Sequence, residues 1–226
     1  MGNQLYIDLL KKVLIDLHRM ELGEYKPLQW NKLTWRMRIL ASLDKTLQKK
    51  NFAICSKVNF NREDRIIGKD WPAYADSMIG LKRLENIEYC FKEVIKNNIP
   101  GDFIETGVWR GGSTIFMKAL LKAWDITDRA VWVADSFEGL PKPDAEKYEA
   151  DKGDNHYTHK ELAIPMEVVK YNFEKYDLLD NNVKFLKGWF KDTLPTAPIK
   201  QLAILRLDGD MYESTMDALT SLYPKL

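Results

Sequence analysis

The chain has 226 residues, the length of one ordinary domain with room for added elements. Its 34 Lys and Arg against 33 Asp and Glu leave a formal net charge of +1, which excludes capture of a polyanion by bulk charge. With 45% hydrophobic and 30% charged residues it has the mix of a soluble globular protein. No apolar run reaches the ~18 residues of a membrane span, and "MGNQLYIDLLKK" lacks the charged-then-apolar order of a signal peptide. A cytoplasmic protein with no membrane partner is therefore expected. Cys55 and Cys90 have no CxxC neighbour and read as reduced core thiols.

In chain order, Tyr6, Leu9, Leu10, Val13, Leu14 and Leu17 recur at helical spacing among Asp8, Lys11, Lys12 and Asp16. This is an amphipathic helix, suited to its own domain or to a second subunit. No clean period lasts between residues 22 and 82, although residues 32–50 read as a helix whose excess of Lys and Arg over Asp44 marks a solvated face. Leu84, Ile87, Cys90, Phe91, Val94 and Ile95 give a helix ended by "NNIPG". From residue 102 strands and helices alternate. "DFIETGV" is a strand, "GSTIFMKALLKAW" a helix and "AVWVADS" a strand; a polar stretch follows over residues 140–160. "PMEVVKYNFEKYDL" is a helix with Pro165 in its first turn, "NVKFLKGWF" and "QLAILRLDGD" contain strands, and "STMDALTSLYPKL" is a helix. The order predicts an α/β, Rossmann-like fold, a parallel sheet with right-handed crossovers and helices on both faces. Residues 1–100 would form a helical extension and lid region, and residues 101–226 the ligand-binding domain.

The stretch "FIETGVWRGGST" (103–114) sets a strand against a glycine-rich turn and a helix start, where doubly wound folds bind nucleotides. Gly107, Gly111 and Gly112 would let backbone approach a ligand and let the next helix pack closely. Ser113 and Thr114 stand where free N–H groups attract an anion. The spacing is G-x-x-x-G-G, not the G-x-G-x-x-G of a dinucleotide pyrophosphate site. Asp135 closes the second strand, placed for both hydroxyls of a ribose. Glu105 closes the first and could take a cationic group. A buried carboxylate without partners is costly, so both are expected to face a ligand or solvent. Two acids around a glycine turn suit a ligand with a ribose and an ammonium but no pyrophosphate. S-adenosylmethionine meets that description and NAD meets it poorly. Asp208 and Asp210 follow the last strand, and neighbouring carboxylates repel unless a cation or proton is shared. The alternative is an exposed strand-end pair.

On these residues the chain resembles the macrocin O-methyltransferase family, class I enzymes that use S-adenosylmethionine and magnesium to methylate sugar hydroxyls in antibiotic biosynthesis. The resemblance runs from about Asn61 onward and is carried by "GKDWPAYADSMIGLKRLENI", "GDFIETGVWRGGSTIFMKA", "VWVADSFEGLP" and "LRLDGDMYESTMDALTSLYPKL". It implies that Glu105 and Gly107 line the cofactor's methionine end, that Thr106 and Ser113 also bind the cofactor, and that Asp135 holds the ribose with Ser136 and Phe137 nearby. It further implies that Asp208 ligates magnesium and that Asp210 is the general base. It adds a lid, for which residues 64–80 and 144–160 are the candidates, with His156 and His159 in reach of substrate. The family's remaining metal ligands would lie beyond Leu226. A last helix after a parallel strand is also half a crossover, so a longer native chain is expected.

The expected reaction moves a methyl group from a sulfonium to a hydroxyl of a glycoside or other polyol. Magnesium would lower the hydroxyl's pKa and Asp210 would take its proton. A homodimer is the expected assembly. Three rivals stay open: a nicotinamide-dependent oxidoreductase, which the glycine spacing opposes; a binding homologue without turnover; and a nucleic-acid methyltransferase, which the net charge opposes.

Overall fold

A computed structural model of the protein describes residues 4–22, 24–27, 34–58 and 61–226. Residues 32 and 33, the first of the helix expected over 32–50, lie outside the described residues, as do residues 1–3 of the start read for a signal peptide.

Helix α1 (Gln4–Leu14) opens the structure. Its apolar stripe, Ile7, Leu10 and Leu14, is buried in the chain's own core, and its Lys11 makes a buried ion pair with Glu88 at 2.7 Å. The helix therefore docks on its own chain, while Leu5 and Leu9 on the other side stay exposed. A two-stranded antiparallel ribbon, β1 (Glu24–Pro27) with β2 (Cys55–Val58), follows and was not expected. Between its strands runs α2 (Trp35–Gln48), with Trp35, Ile39 and Leu43 exposed. Helix α3 (Arg62–Ile67) starts where the Asn61 side chain accepts from the backbone N–H groups of Glu63 and Asp64, and ends on left-handed Gly68. The fully buried Arg65 ties this region down. Its guanidinium donates to the Ile15 carbonyl at 2.8 Å and to the Glu24 and Asp70 carboxylates at 2.6 and 2.7 Å. Neither thiol is a core residue as expected: Cys55 lies exposed on β2 and Cys90 is half-buried on the core's margin, and both are free.

Helix α4 (Gly80–Lys96) leads into the main sheet: β3 (Asp102–Thr106), α5 (Gly112–Ala123), β4 (Val131–Asp135), α6 (Met166–Glu174), β5 (Val183–Lys187), a short α7 (Phe190–Thr193), β6 (Leu202–Leu207) and α8 (Tyr212–Leu222). Pro165 caps α6 rather than entering its first turn. The four strands are parallel in the order β5-β4-β3-β6. The chain winds outward from β3 to β5 and then returns to the far side of β3, so the topological switch falls between β3 and β6.

The period of two along each strand separates two faces. Phe103, Val131, Val133, Val183 and Ile204 meet α1, α4, α5 and α6 on one side. Ile104, Trp132, Ala134 and Leu202 meet Leu194, Ile199, Ala218 and Leu222 on the other. Phe91 of α4 packs edge-on against Phe103 and Trp124, at 6.0 and 5.1 Å between ring centroids. Burying such a ring contributes about 1.5–3 kcal/mol. The residues before position 100 thus share a core with β3 and α5 through α1 and α4.

Candidate functional site

The glycine turn works first as a packing device. Gly107 follows β3 with φ +84, and a Cβ there would lie 2.0 Å from the Asp208 carbonyl oxygen. Its bareness is what lets the ends of β3 and β6 touch. Gly111 begins α5 at φ +86, and a Cβ on it would strike Val169. Gly112 donates its N–H to the Asp76 carbonyl at 2.9 Å and has no room for a Cβ beside Asp76 and Ser77. One opening N–H of α5, expected to be free for an anion, is therefore taken by the chain. Thr114 turns its hydroxyl back to the Gly111 carbonyl, 2.7 Å, whereas Ser113 lines the cavity described below.

Glu105 and Arg206 are opposed in the β3–β6 register, and Asp208 follows two residues on, just past the end of β6. A single nitrogen, Arg206 Nη1, donates both to Glu105 Oε1 and, at 2.9 Å, to Asp208 Oδ2. Glu105 was expected to meet a cation of a ligand; the chain already offers it one. Its other oxygen, Oε2, is buried without a hydrogen bond of ordinary geometry, with the Ser113 hydroxyl near enough to favour the charged form. Burial pushes the Glu105 carboxyl up to about 7, against the pull of Arg206 and with a further push from Asp208.

Asp135 is mostly enclosed, and both its oxygens have partners in the chain. Oδ2 accepts from Val108 N–H at 2.8 Å and Oδ1 from Phe137 N–H at 2.7 Å. Burial raises its pKa while these backbone donors oppose the rise. The carboxylate expected to hold a ribose thus also pins the turn after β3 to the end of β4, with lone pairs left over on the cavity wall. Ser136 closes its own turn, donating to the Gly139 carbonyl at 2.6 Å and accepting from Glu138 N–H. Phe137 is left-handed (φ +58) and buried in the core beside Phe185. Thr106 is fully buried, its hydroxyl without a partner. Neither Phe137 nor Thr106 is on the cavity wall.

A cavity of about 820 Å³ opens over these strand ends. Glu105, Gly107, Ser113, Asp135, Ser136, Asp208 and Asp210 share its wall, and Ser77–Ile79 and Leu140–Lys142 flank it. Asp210 stands at φ +57; desolvation first and the charge of Asp208 second raise its pKa, and His156 opposes them. Among the described residues no group of three or more His, Cys, Asp and Glu is arranged to hold a metal ion.

The two segments expected as lids meet each other. Trp71 packs edge-on against His159, 5.3 Å between centroids. His156 Nδ1 lies 2.8 Å from Asp154 Oδ2, which raises the imidazole's pKa, and neither histidine lines the cavity. Asp151 is the residue that the sequence reading missed in this loop. Met211 at the start of α8 has no side chain able to cap it, and Asp151 supplies the cap from 60 residues away, accepting from Tyr212 N–H at 2.6 Å and Glu213 N–H at 3.0 Å. Arg206 is the other omission. Its signal was present: a lone cation inside the apolar strand "LAILRLD", two residues before Asp208.

A four-stranded parallel sheet with this order, covered on both faces and hollowed at its switch point, defines a Rossmann-like α/β protein of the class I methyltransferase type. The chain belongs to the macrocin-O-methyltransferase (TylF) family, whose model matches residues 3–226. It is 58% identical over 168 residues to demethyldecarbamoylnovobiocin O-methyltransferase of Streptomyces niveus, covering 74% of this chain and 64% of that protein. It is 55% identical over 165 residues to an 8-demethyl-8-(2,3-dimethoxy-alpha-L-rhamnosyl)-tetracenomycin-C 4'-O-methyltransferase of Streptomyces olivaceus, covering 73% and 63%. The chain thus spans less than two thirds of the length of these two relatives. The solved structure of the O-methyltransferase NovP superposes with a TM-score of 0.81 at 46% identity, covering 98% of this chain and 79% of that one. Calicheamicin methyltransferase CalS11 shares the fold at a TM-score of 0.53 and 18% identity.

Proposed function

We propose that the protein is an S-adenosylmethionine-dependent O-methyltransferase acting on a hydroxyl of a glycoside. The observation that carries this reading is the meeting of Glu105, Asp135, Asp208 and Asp210, from the ends of three different strands, on one cavity. The printed names of its relatives support it, since they describe O-methyl transfer and one includes a rhamnosyl group. The cavity is within the usual range for a small-molecule site, and the buried Glu105 Oε2 without an ordinary partner fits an ammonium. Asp208 and Asp210 carry two carboxylates against the one cation of Arg206, and burial first and the charge of Asp208 second raise the pKa of Asp210. That donor set fits magnesium, which commonly takes one or two carboxylates and completes its shell with substrate oxygens and water.

Bound S-adenosylmethionine supplies the methyl group, and bound magnesium the acidity of the acceptor hydroxyl. Glu105 would hold the ammonium of the cofactor, with Gly107 and Ser113 shaping that end. Asp135 would accept from the ribose hydroxyls through its remaining lone pairs, with Ser136 and Phe137 fixing its turn. Asp208 would bind the metal. Asp210 would accept the proton of the acceptor hydroxyl as oxygen bonds to the methyl carbon and the carbon–sulfur bond breaks. Rigid strand ends align these groups, and alignment of oxygen, carbon and sulfur accounts for most of the rate. The setting we infer is a cytoplasmic homodimer with a small glycoside partner, apart from nucleic acid and membrane. Among the described residues no helix is long and apolar enough to cross a membrane. Mass spectrometry of reactions with a panel of glycosides tests the reading. A gain of about 14 Da, one CH₂ per transfer, that requires S-adenosylmethionine supports it; no gain with any glycoside, with NAD-dependent oxidation of an alcohol instead, overturns it.

A further inference from the structure

We propose that Arg206 couples the two ends of the site, so that a cation bound at one end weakens the hold on a cation at the other. The proposal rests on the reading that an ammonium meets Glu105 and a divalent cation meets Asp208. One guanidinium nitrogen serves both carboxylates, Glu105 Oε1 and Asp208 Oδ2. The Arg206 side chain is only 15% exposed and that of Glu105 2%, so water does not readily replace that contact, whereas the Asp208 side chain is 44% exposed and open to an arriving cation. The backbone fixes the arrangement. Glu105 stands opposite Arg206 in the sheet, Asp208 N–H donates to the Thr106 carbonyl at 2.9 Å, and bare Gly107 is pressed on the Asp208 carbonyl. The backbones of both acids are held and the Glu105 side chain is buried, so the partition of the shared arginine between them is what a bound cation can shift.

With both carboxylates ionised, the two acids and one guanidinium carry a net charge of −1. A cation arriving at Asp208 leaves Arg206 wholly to Glu105, which is then neutralised before an ammonium reaches it. An ammonium at Glu105 likewise leaves Arg206 to Asp208. Coupling is reciprocal by thermodynamic necessity, so either ligand reads it. Arg206 is in this sense a positioning residue and not a catalytic one.

The test is calorimetric titration of the protein with two unreactive ligands, S-adenosylhomocysteine and 5′-methylthioadenosine, which share a nucleoside thioether but differ in the amino-acid end. The ratio of their affinities reads the share of binding that comes from the amino-acid end, which includes the ammonium. In the wild type, millimolar magnesium chloride should lower that ratio by about fivefold or more, the lower bound of ordinary coupling. In Arg206→Gln the ratio without magnesium should exceed the wild-type value, and magnesium should leave it unchanged. Arg206→Lys, which keeps a shared cation, should retain the magnesium effect. Direct repulsion between two bound cations would survive in Arg206→Gln, so a magnesium effect persisting there overturns the coupling. A wild-type ratio indifferent to magnesium overturns it as well. If Arg206→Gln shows no cooperative melt, Glu105→Gln takes its place, because removing one of the two shared acids must also abolish the magnesium effect. Failure of S-adenosylhomocysteine to bind at all removes the reading of the site and the coupling together, which separates the two kinds of failure.

Discussion

Gly107→Ala is a small change that should disturb the site at its structural centre. A Cβ at this position would stand 2.0 Å from the Asp208 carbonyl oxygen, where real Cβ contacts essentially never fall below 3.0 Å. The obstacle is backbone, so no side chain can swing away. The ends of β3 and β6 must separate by about 1 Å, and a misplacement of that size can cost about 100-fold in rate. The φ of +84 adds the left-handed penalty of a side chain, about 1–2 kcal/mol. For a chain of this length each kcal/mol lowers the melting temperature by about 2–4 °C, so a loss of at least about 2–8 °C is expected. The assay pairs a thermal melt with single-turnover methyl transfer. Turnover should fall about 100-fold in protein that is still folded below its lowered melting temperature. An alanine variant that melts and turns over like the wild type would refute the claim that contact between these strand ends positions Asp208.

Three further outcomes are expected. Asp210→Asn should lower turnover by about 10²–10⁴-fold while S-adenosylhomocysteine binds as before; a loss confined to cofactor affinity would count against its role as base. Glu105 has a folded pKa raised from 4.5 to about 7, so it contributes stability that is full below 4.5 and lost as pH rises through 7. Melting scans over that window should show a decline that Glu105→Gln lacks, and parallel curves would contradict the burial of a carboxyl there. Asp151→Ala should cost about 0.5–2 kcal/mol by uncapping α8, and Asp151→Asn should recover most of it; equal melting of the two variants would argue that the cap is idle.

Much of the sheet was legible because its signals are local. "DFIET", "VWVAD" and "LAILRL" are apolar runs bounded by glycine or aspartate, and the period of 3.6 in Leu84, Ile87, Phe91 and Val94 reappears as the buried face of α4. The gathering of Glu105, Asp135, Asp208 and Asp210 on one cavity followed from strand ends alone. What escaped was set by contacts distant in sequence. "EYKP" and "CSKV" show no alternation, yet they pair as β1 and β2 across some thirty residues. The partner of Glu105 lies 101 residues away, and a register of parallel strands decides it. The cap of α8 comes from a loop, because Met211 at its own N-terminus has no side-chain acceptor. The cysteines misled for a related reason: Cys55 belongs to the unforeseen ribbon, where its side chain is exposed.

The most direct measurement is calorimetric titration of the purified protein with S-adenosylhomocysteine and, separately, with NAD. A saturable heat at one equivalent of S-adenosylhomocysteine, weakened in Asp135→Ala and absent with NAD, is the expected result. Heat with NAD and none with S-adenosylhomocysteine would contradict the assignment of this cavity to a sulfonium nucleoside.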